Sequence, residues 1–364
     1  MIRNTDKTYM ERAIMLALKG QGFTGTNPVV GCVIVKKNKV IAEGYHLVSG
    51  GPHAEAKALS LAGVRAKGAT LYVNLEPCFP YKGKRTPPCV EAIIKAKIKR
   101  CVVAMKDPNP HVNGRSFTLL KAKGIKTELG LLKKEAEKIN EPYINVVRKG
   151  LPLVVSKMAL TLDGKVASYS GDSKWLSNEL SRTLVHHKRS KFDAVMVGIG
   201  TVQKDDPKLN VRKVKGRNPQ KIIIDPECEI SLKAKVLRDK KKVLVIVNSR
   251  AKKKRVERLL NAGVRVIFAG GRAGTVNLKE TLAMLPVLGI SSVLLEGGPT
   301  LLTAALKEKV VDRILWFIVP KLLGNDAKGI IGAMAIKTIK KALTVKAPEY
   351  YELDGDLIVE GRVD

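Results

Sequence analysis

The sequence predicts an α/β protein built from two different domains. Its 364 residues are enough for two compact units. Short apolar segments of strand character alternate with segments of helical periodicity, and this alternation favours layered α/β architecture. Because no internal repeat relates the two halves, we expect unlike domains at residues 1–146 and 150–364.

In the first half, the alternation predicts a three-layer α/β/α domain. Residues 8–20 carry apolar side chains at helical spacing, and Lys37-Asn38-Lys39 separates two apolar runs as a hairpin turn would. The predicted elements are helices at 8–20, 52–61, 89–96, 116–122 and 133–140, and strands at 29–35, 40–44, 70–74 and 101–105.

The second half is predicted to begin after a boundary at residues 141–152. That stretch contains two prolines and Gly150 and follows a completed helical pattern. A second alternation follows it and predicts another α/β domain. The predicted strands are 153–158, 194–197, 221–225, 242–248, 265–268, 292–296 and 313–319, and the predicted helices are 178–190, 251–261, 278–288 and 300–307.

Composition excludes several classes of protein. Hydrophobic residues make up 45% and charged residues 27%, which is typical of a soluble globular protein. The longest apolar runs are too short to cross a bilayer, and the first twenty residues do not resemble a signal peptide, so we expect a cytoplasmic location. Five cysteines in a chain of this length argue against a disulfide framework and favour metal binding or burial.

The formal net charge of +33 raises the question of nucleic-acid binding. The basic excess is divided almost evenly between the two halves, and aromatic residues make up only 4%, which is poor for stacking against bases. These observations favour a basic solvated surface suited to phosphorylated ligands. A dedicated nucleic-acid surface stays open as the less favoured alternative.

The clearest chemical signal is a set of metal ligands in the first half. His53-Ala54-Glu55 is followed by Glu76-Pro77-Cys78 and then by Pro88-Cys89. One histidine and two cysteines form a tetrahedral catalytic zinc site that leaves one position for water. Pro52 and Pro88 each suit the start of a helix, which places His53 and Cys89 at positive helix ends that favour thiolate.

Glu55 is the predicted proton shuttle of this site. It follows His53 by two residues, so it points away from the ligand direction but can reach a water at the metal. There it would take a proton from water and give one to departing ammonia. The His-x-Glu and Pro-Cys pattern is typical of zinc nucleobase deaminases.

The spacing of the two cysteines argues for a small substrate. Nucleic-acid and free-nucleoside deaminases usually hold their cysteines as Cys-x-x-Cys, whereas ten residues separate Cys78 from Cys89 here. The intervening loop includes Lys82, Lys84 and Arg85. Cations beside the active site suit a substrate phosphate.

The second half offers weaker signals when it is considered alone. It lacks a Gly-x-Gly-x-x-Gly motif after its first strand, so an ordinary dinucleotide-binding fold is not predicted. The run Glu296-Gly297-Gly298-Pro299-Thr300 lies between a predicted strand and helix, where glycines let backbone amides approach a phosphate. Gly198-Ile199-Gly200-Thr201 offers a second loop of this kind.

Taken together, these motifs resemble the bifunctional riboflavin biosynthesis proteins of the RibD family over nearly the whole chain. In the first half, the matching motifs are Asn27-Pro28-Val29-Val30-Gly31-Cys32, Gly44-Tyr45-His46, Pro52-His53-Ala54-Glu55, Leu75-Glu76-Pro77-Cys78, Arg85-Thr86-Pro87-Pro88-Cys89 and Asp107-Pro108-Asn109-Pro110. In the second half, they are Leu162-Asp163-Gly164-Lys165-Val166-Ala167, Gly171-Asp172-Ser173-Lys174-Trp175, Gly200-Thr201-Val202, Asp205-Asp206-Pro207, Leu294-Leu295-Glu296-Gly297-Gly298-Pro299 and Pro320-Lys321-Leu322-Leu323-Gly324.

The resemblance implies a cytidine-deaminase-like first domain and a dihydrofolate-reductase-like second domain, with Zn²⁺ and NADPH as cofactors. The implied reactions are hydrolytic deamination of 2,5-diamino-6-(5-phosphoribosylamino)pyrimidin-4(3H)-one and reduction of the ribosyl side chain to ribityl. The implied substrate contacts are Asn27, His46, Arg85, Lys157, Ser173, Arg189, Leu209, Arg212 and Glu296; the implied NADPH contacts are Ala159, Trp175, Thr201, Asp205, Gly298, Pro299, Thr300, Leu301, Leu302, Thr303 and Ala304. A homo-oligomer without a membrane partner is expected.

One departure from the family lies in the loop between the cysteines. The family usually has a histidine two residues after the first cysteine, and this histidine contacts the substrate. The loop between Cys78 and Cys89 is two residues longer than the family's loop and lacks that histidine. Tyr81 and Lys82 are the candidates to replace it. Two alternatives stay open: a tRNA-type zinc polynucleotide deaminase with a basic RNA-binding surface, and a non-catalytic NADPH-binding homologue.

Overall fold

A computed structural model describes residues 4–82 and 86–364. The chain divides into two compact units, Met1–Gly150 and Leu151–Asp364. Across the described part of the chain, no helix is both long enough and apolar enough to span a bilayer.

The first unit is built on a five-stranded sheet in the order β2-β1-β3-β4-β5. β1 runs antiparallel to β2 and β3, whereas β3, β4 and β5 are parallel to one another. The strands are β1 (Gly31–Lys36), β2 (Lys39–Tyr45), β3 (Thr70–Leu75), β4 (Arg100–Met105) and β5 (Lys126–Leu129); the helices are α1 (Asn4–Leu18), α2 (Ala54–Ala62), α3 (Cys89–Lys95), α4 (Arg115–Ala122), α5 (Lys133–Ile139) and α6 (Glu141–Lys149), with a 3₁₀ turn at Gly63–Ala66.

Helices cover both faces of this sheet. α1 packs on β1 and β3 and contacts α5, while α2 packs on β1 and β2 and contacts α3. The predicted hairpin is present. Its two turn residues, Lys37 and Asn38, both have positive φ, which is the backbone conformation of two-residue turns whose twist matches that of the flanking strands. The three-layer α/β/α prediction is therefore confirmed.

The segment after residue 140 differs from its predicted linker character. Residues 141–149 form helix α6, whose Tyr143 and Ile144 pack against the core of the first unit. Pro142 lies in the first helical turn, where a missing amide hydrogen costs nothing, and Gly150 ends the helix with a left-handed backbone.

The second unit contains a nine-stranded sheet in the order β11-β10-β9-β8-β12-β6-β13-β16-β15. The seven strands from β11 to β13 are parallel, and β16 and β15 extend the sheet as an antiparallel hairpin. The strands of this sheet are β6 (Leu153–Thr161), β8 (Ala194–Gly198), β9 (Gln220–Ile224), β10 (Val243–Asn248), β11 (Arg265–Ala269), β12 (Ser292–Leu295), β13 (Arg313–Val319), β15 (Val345–Leu353) and β16 (Asp356–Val363). Two short strands, β7 (Lys165–Ala167) and β14 (Lys328–Gly329), form a separate two-stranded sheet.

Helices flank this second sheet, and two faces of the sheet have separate apolar cores. Alternate side chains of β8, β9 and β10 enter one core or the other, as the twofold repeat of a strand requires. The helices are α7 (Glu179–Lys191), α8 (Ile199–Asp205), α9 (Lys253–Asn261), α10 (Leu278–Met284) and α11 (Pro299–Lys307), with 3₁₀ segments at Lys235–Lys242, Pro286–Leu288 and Ile339–Lys341.

Several elements of the second unit were not predicted. They are α8, the short pair β7 and β14, and the terminal hairpin β15–β16. β6 also continues to Thr161, three residues beyond its predicted end, because it pairs with β13 along its whole length.

Candidate active sites

The predicted metal ligands converge at one end of the first sheet. His53 is the N-cap residue of α2, Cys78 follows β3, and Cys89 begins α3. Their ligand atoms lie within 4.8 Å of one another, and no other such group occurs in residues 4–82 and 86–364. Nδ1 of His53 lies 3.5 Å from Sγ of Cys78 and 3.3 Å from Sγ of Cys89. One nitrogen and two sulfurs so close together fit tetrahedral zinc.

The surroundings of Cys78 favour its thiolate. The backbone N–H of Cys89 donates to Sγ of Cys78 over 3.1 Å. A side-chain hydrogen bond from Cys89, opposed by burial and helped by His53, lowers the pKa of Cys78 to about 4. A thiolate is the form that ligates zinc, so the protein environment prepares the site for the metal.

Glu55 lies in the first turn of α2 with only 3% of its surface exposed. Its Oε2 has no hydrogen-bond partner among the described residues. Burial, reinforced by the charge of Cys78, raises the pKa of Glu55 to about 7. A buried carboxyl group that titrates near neutrality and keeps one oxygen available suits proton transfer at the zinc site.

A cavity of about 450 Å³ opens beside these residues. The predicted substrate contacts Asn27 and His46 line it, whereas Arg85 lies outside the described residues. His46 donates from Nδ1 to the Pro52 carbonyl over 3.1 Å, and burial lowers its pKa. Its Nε2 therefore accepts from the Asn27 amide, 3.5 Å away, so the two side chains are oriented together.

Two buried asparagines fix the loop that carries Asn27. Asn74 accepts from the Gly31 N–H over 2.8 Å and donates to the Val29 carbonyl over 3.0 Å. Asn140 accepts from the Val29 N–H over 2.9 Å. Because these side chains satisfy backbone groups just after Asn27, they hold that part of the cavity wall in place.

Glu76 organises the opposite wall. Its carboxylate is 2% exposed and accepts backbone N–H bonds from Asp107, Gly114 and Ser116 at 2.9–3.2 Å. This arrangement holds the loop after β4 beside Cys78. The sequence indicated Glu76 only as part of the Glu-Pro-Cys motif, so this supporting role was missed.

Further residues of the cavity were not predicted as site residues. The Tyr143 hydroxyl donates to Oδ1 of Asp107 over 2.8 Å, and Asn109 and Thr86 also line the wall. Of the two candidates for the missing histidine, Tyr81 lines the cavity and Lys82 does not. The Tyr81 ring stacks on His111 with centroids 5.0 Å apart and planes inclined by 16°.

The second unit contains a larger cavity, of about 540 Å³. Its walls include the N-terminal residues of α11 and the first residues of α8, where backbone N–H groups suit phosphate groups. Nine predicted residues line it: Ser173, Thr201, Asp205, Glu296, Gly298, Pro299, Thr300, Leu301 and Ala304.

Four predicted NADPH contacts lie elsewhere. On α11, neither Leu302 nor Thr303 lines the cavity. Leu302 is fully buried in the core, and the Thr303 hydroxyl donates to the Pro299 carbonyl. Ala159 alternates with the lining residue Met158 along β6 and therefore faces the other side. Trp175 is 63% exposed, with the Arg182 guanidinium 4.9 Å from its ring centroid.

The remaining predicted substrate contacts include a buried charge cluster. Nε and Nη2 of Arg189 donate to both carboxylate oxygens of Glu296 over 2.9 and 2.8 Å. Burial opposes ionisation of Glu296, but the charges of Arg189 and Lys157 outweigh it and lower the pKa. Burial lowers the pKa of Lys157. Arg189 thus holds Glu296 ionised at the edge of the cavity.

Leu209 and Arg212 flank this cluster. The Leu209 side chain is buried in an apolar core, so only its backbone can contact a ligand. Arg212 is exposed, and its backbone N–H donates to Nδ1 of His186 over 3.3 Å. His186, which was not predicted as a site residue, is 4% exposed and positions this loop.

Comparisons with known families agree with both units. Residues 3–105 match the cytidine and deoxycytidylate deaminase zinc-binding region, and residues 152–359 match the RibD C-terminal domain. These matches confirm the predicted fold class of each half. They also indicate zinc as the cofactor of the first unit, in agreement with its donor set, and NADPH as the cofactor of the second unit, whose cavity has helix ends suited to phosphate groups.

Individual relatives match over nearly the full length. The riboflavin biosynthesis protein RibD of Aquifex aeolicus is 43% identical over 360 residues, covering 99% of each chain, and that of Escherichia coli strain K12 is 35% identical over 365 residues, covering 97% of this chain and 98% of the other. The solved structure of Acinetobacter baumannii RibD, form 1, has a TM-score of 0.87 at 37% identity, covering 99% of both chains.

A further solved structure adds the names of two activities. The diaminohydroxyphosphoribosylaminopyrimidine deaminase/5-amino-6-(5-phosphoribosylamino)uracil reductase of Thermotoga maritima has a TM-score of 0.83 at 34% identity, covering 99% of both chains. The chain therefore belongs to the RibD family of bifunctional riboflavin biosynthesis proteins, which combine a deaminase domain with a reductase domain.

Proposed function

We propose that the chain catalyses two successive steps on one phosphorylated pyrimidine. The first is hydrolytic deamination of 2,5-diamino-6-(5-phosphoribosylamino)pyrimidin-4(3H)-one, assigned to residues 1–146. The second is reduction of the ribosyl side chain to ribityl with NADPH, assigned to residues 150–364. The observation that carries the proposal is the convergence of His53, Cys78 and Cys89 beside a cavity that Glu55 also lines, with Oε2 of Glu55 lacking a hydrogen-bond partner among the described residues.

In the deaminase site, His53, Cys78 and Cys89 would hold the zinc ion. Zinc, when bound, makes a water molecule more acidic and more nucleophilic. Glu55 would accept a proton from the attacking water, whose oxygen adds to the ring carbon that bears the 2-amino group, and would return the proton to that amino nitrogen as it leaves. One water is consumed and one ammonia is released, and Asn27 and His46 orient the substrate beside them.

In the reductase site, the walls formed by α8 and α11 would hold the NADPH phosphates. NADPH, when bound, supplies the hydride for reduction of the sugar. Glu296 lines the cavity and can bind the polar ribosyl chain, and Arg189 keeps Glu296 ionised. Lys157, like Ala159, is next to the lining residue Met158 on β6 and faces the other side, so it acts on this site through its charge on Glu296. Arg212 is the exposed cation for the substrate phosphate.

The test is to add the diaminopyrimidine substrate to zinc-loaded protein and measure ammonia, then add NADPH and follow nicotinamide absorbance. We expect ammonia without NADPH, and NADPH oxidation only after deamination has begun. Absence of ammonia release from the substrate, together with release from an RNA, would favour the tRNA-type deaminase instead. Absence of both ammonia release and NADPH oxidation would favour the non-catalytic alternative.

We also propose that Tyr81 replaces the substrate contact of the family histidine. Its ring lines the deaminase cavity and is held by the stack on His111. We expect Tyr81→Ala to raise KM for deamination about tenfold, the effect of losing roughly 1.4 kcal/mol of binding, with a smaller effect on kcat. Tyr169→Ala, exposed in the second unit, is the matched control. An unchanged KM in Tyr81→Ala would contradict this role.

A further inference from the structure

The two ring nitrogens of His53 have different surroundings. Nδ1 faces Sγ of both Cys78 and Cys89, at 3.5 and 3.3 Å. Nε2 lies on the other side of the ring, 3.2 Å from Oγ1 of Thr86. Because Nδ1 is the ring nitrogen beside both sulfurs, it is the one placed to bind the metal. Nε2 is then the nitrogen that can hydrogen-bond to the protein.

Metal binding fixes the direction of the second contact. A neutral imidazole that presents the lone pair of Nδ1 to a metal must carry its proton on Nε2. The Thr86 hydroxyl can either donate or accept a hydrogen bond, but opposite a protonated Nε2 it can only accept. The contact thus stabilises the tautomer that binds metal.

The backbone that follows Thr86 restricts this placement. Pro87 and Pro88 follow it, and their rings restrict φ. Pro88 is the N-cap of α3 and Cys89 its first residue. The four residues from Thr86 to Cys89 therefore supply one metal ligand together with the hydrogen-bond partner of another.

Among the described residues, a ring contact also restrains the imidazole. The His46 ring meets it edge to face, with centroids 5.6 Å apart and planes inclined by 69°. His53 itself lies before the first helical turn, with φ −70° and ψ 157°, so the regular helix does not set its side-chain direction. The polar contact at Nε2 therefore contributes to orienting the ring about its own axis.

We propose that Thr86 is a positioning residue for the metal site, whose hydroxyl accepts the Nε2–H bond of His53 and presents Nδ1 to zinc. The inference rests on the proposed zinc site and adds a residue to it. Outer partners of ligating histidines typically contribute 10–100-fold to metal affinity.

Zinc affinity measured by competition with a chromophoric chelator tests the proposal without any assay of activity. Thr86→Val keeps the shape of the side chain and removes the hydroxyl, so we expect about 10–100-fold weaker zinc binding. Thr86→Ser keeps the hydroxyl and should bind zinc nearly as the parent does. Thr118→Val, at an exposed threonine of α4, is the matched control and should bind zinc normally.

A spectroscopic measurement covers the case in which Thr86→Val does not fold. In zinc-loaded protein labelled with ¹⁵N-histidine, we expect a hydrogen-bonded Nε2–H of His53 that exchanges slowly with water. A fast-exchanging Nε2–H in the parent protein would overturn the proposal without any variant.

The outcomes separate failure of this proposal from failure of the zinc site. Normal zinc affinity in Thr86→Val, or equal losses in Thr86→Ser and Thr86→Val, would overturn the role of Thr86 alone, provided that Cys89→Ser binds zinc weakly. Normal zinc affinity in Cys89→Ser would overturn the metal site itself and this proposal with it.

Discussion

His186 shows how one buried side chain links pH to the reductase site. Burial, together with the charges of Arg189 and Arg212, lowers its pKa to about 4, whereas an unfolded histidine titrates near 6.5. Between these values the unfolded chain binds a proton that the folded chain does not bind. The free energy of unfolding therefore falls as the pH falls from about 6.5 towards 4.

We expect His186→Gln to weaken this pH dependence, because an amide oxygen can accept the Arg212 N–H at any pH. Both tryptophans lie in the second unit, so tryptophan fluorescence follows its denaturation specifically. The comparison is the change in unfolding free energy between pH 7 and pH 5 for the parent and the variant. His111→Gln in the first unit is the control, and an equal pH slope in parent and His186→Gln would contradict the account.

At the residue scale, sequence reasoning found groups whose type alone implies chemistry. His53, Cys78, Cys89 and Glu55 were assigned from residue type and spacing, and the structure brings them together. Thr86 and Tyr143 were missed, because a hydroxyl group has no distinctive pattern in a sequence. Their partners lie 33 and 36 residues away, and only the fold creates such contacts.

At the scale of elements, Gly44 determines how closely α2 approaches the sheet. A Cβ atom at Gly44 on β2 would lie 2.3 Å from the Ala54 carbonyl oxygen and 2.8 Å from the Ala58 nitrogen. Both are backbone atoms of α2, so the helix itself would have to move. Ala54 lies between His53 and Glu55, and a displaced α2 would separate the proposed proton shuttle from the proposed metal ligands.

We expect Gly44→Ala to reduce ammonia release strongly and to destabilise the first unit by about 1–3 kcal/mol, the usual effect of overpacking. Thermal unfolding by circular dichroism and the deamination rate measure the two effects. Gly329→Ala is the control, because the nearest atom to its Cβ would be 3.8 Å away. Parent-like stability and activity in Gly44→Ala would show that α2 is not held this closely.

Elements were predictable where periodicity and turn chemistry agree. The β1–β2 hairpin was predicted because Lys37-Asn38-Lys39 separates two apolar runs. Helix α6 was missed because Pro142 and Gly150 suggested a linker, although proline is well tolerated in a first helical turn. The β15–β16 hairpin had a turn signal in Asp354-Gly355, but β15 is largely exposed and lacks an apolar alternation.

At the scale of the whole molecule, each unit has a cavity that suits one reaction. The first combines the proposed zinc ligands with the proposed proton shuttle, and the second combines phosphate-suited helix ends with a buried ion pair. Family membership could be predicted because chemically distinctive motifs occur in the same order along nearly the whole chain. The net charge of +33 agrees with phosphorylated ligands in both cavities, although neither cavity requires so large an excess.

The central claim is that Glu55 performs the first reaction and that the second proceeds independently of it. The most direct measurement follows NADPH oxidation by Glu55→Gln with two substrates, with Glu91→Gln at an exposed position of α3 as the control. We predict no ammonia and no NADPH oxidation from the diaminopyrimidine, normal oxidation from the deaminated intermediate, and a full zinc content. Parent-like oxidation from the diaminopyrimidine would contradict the account.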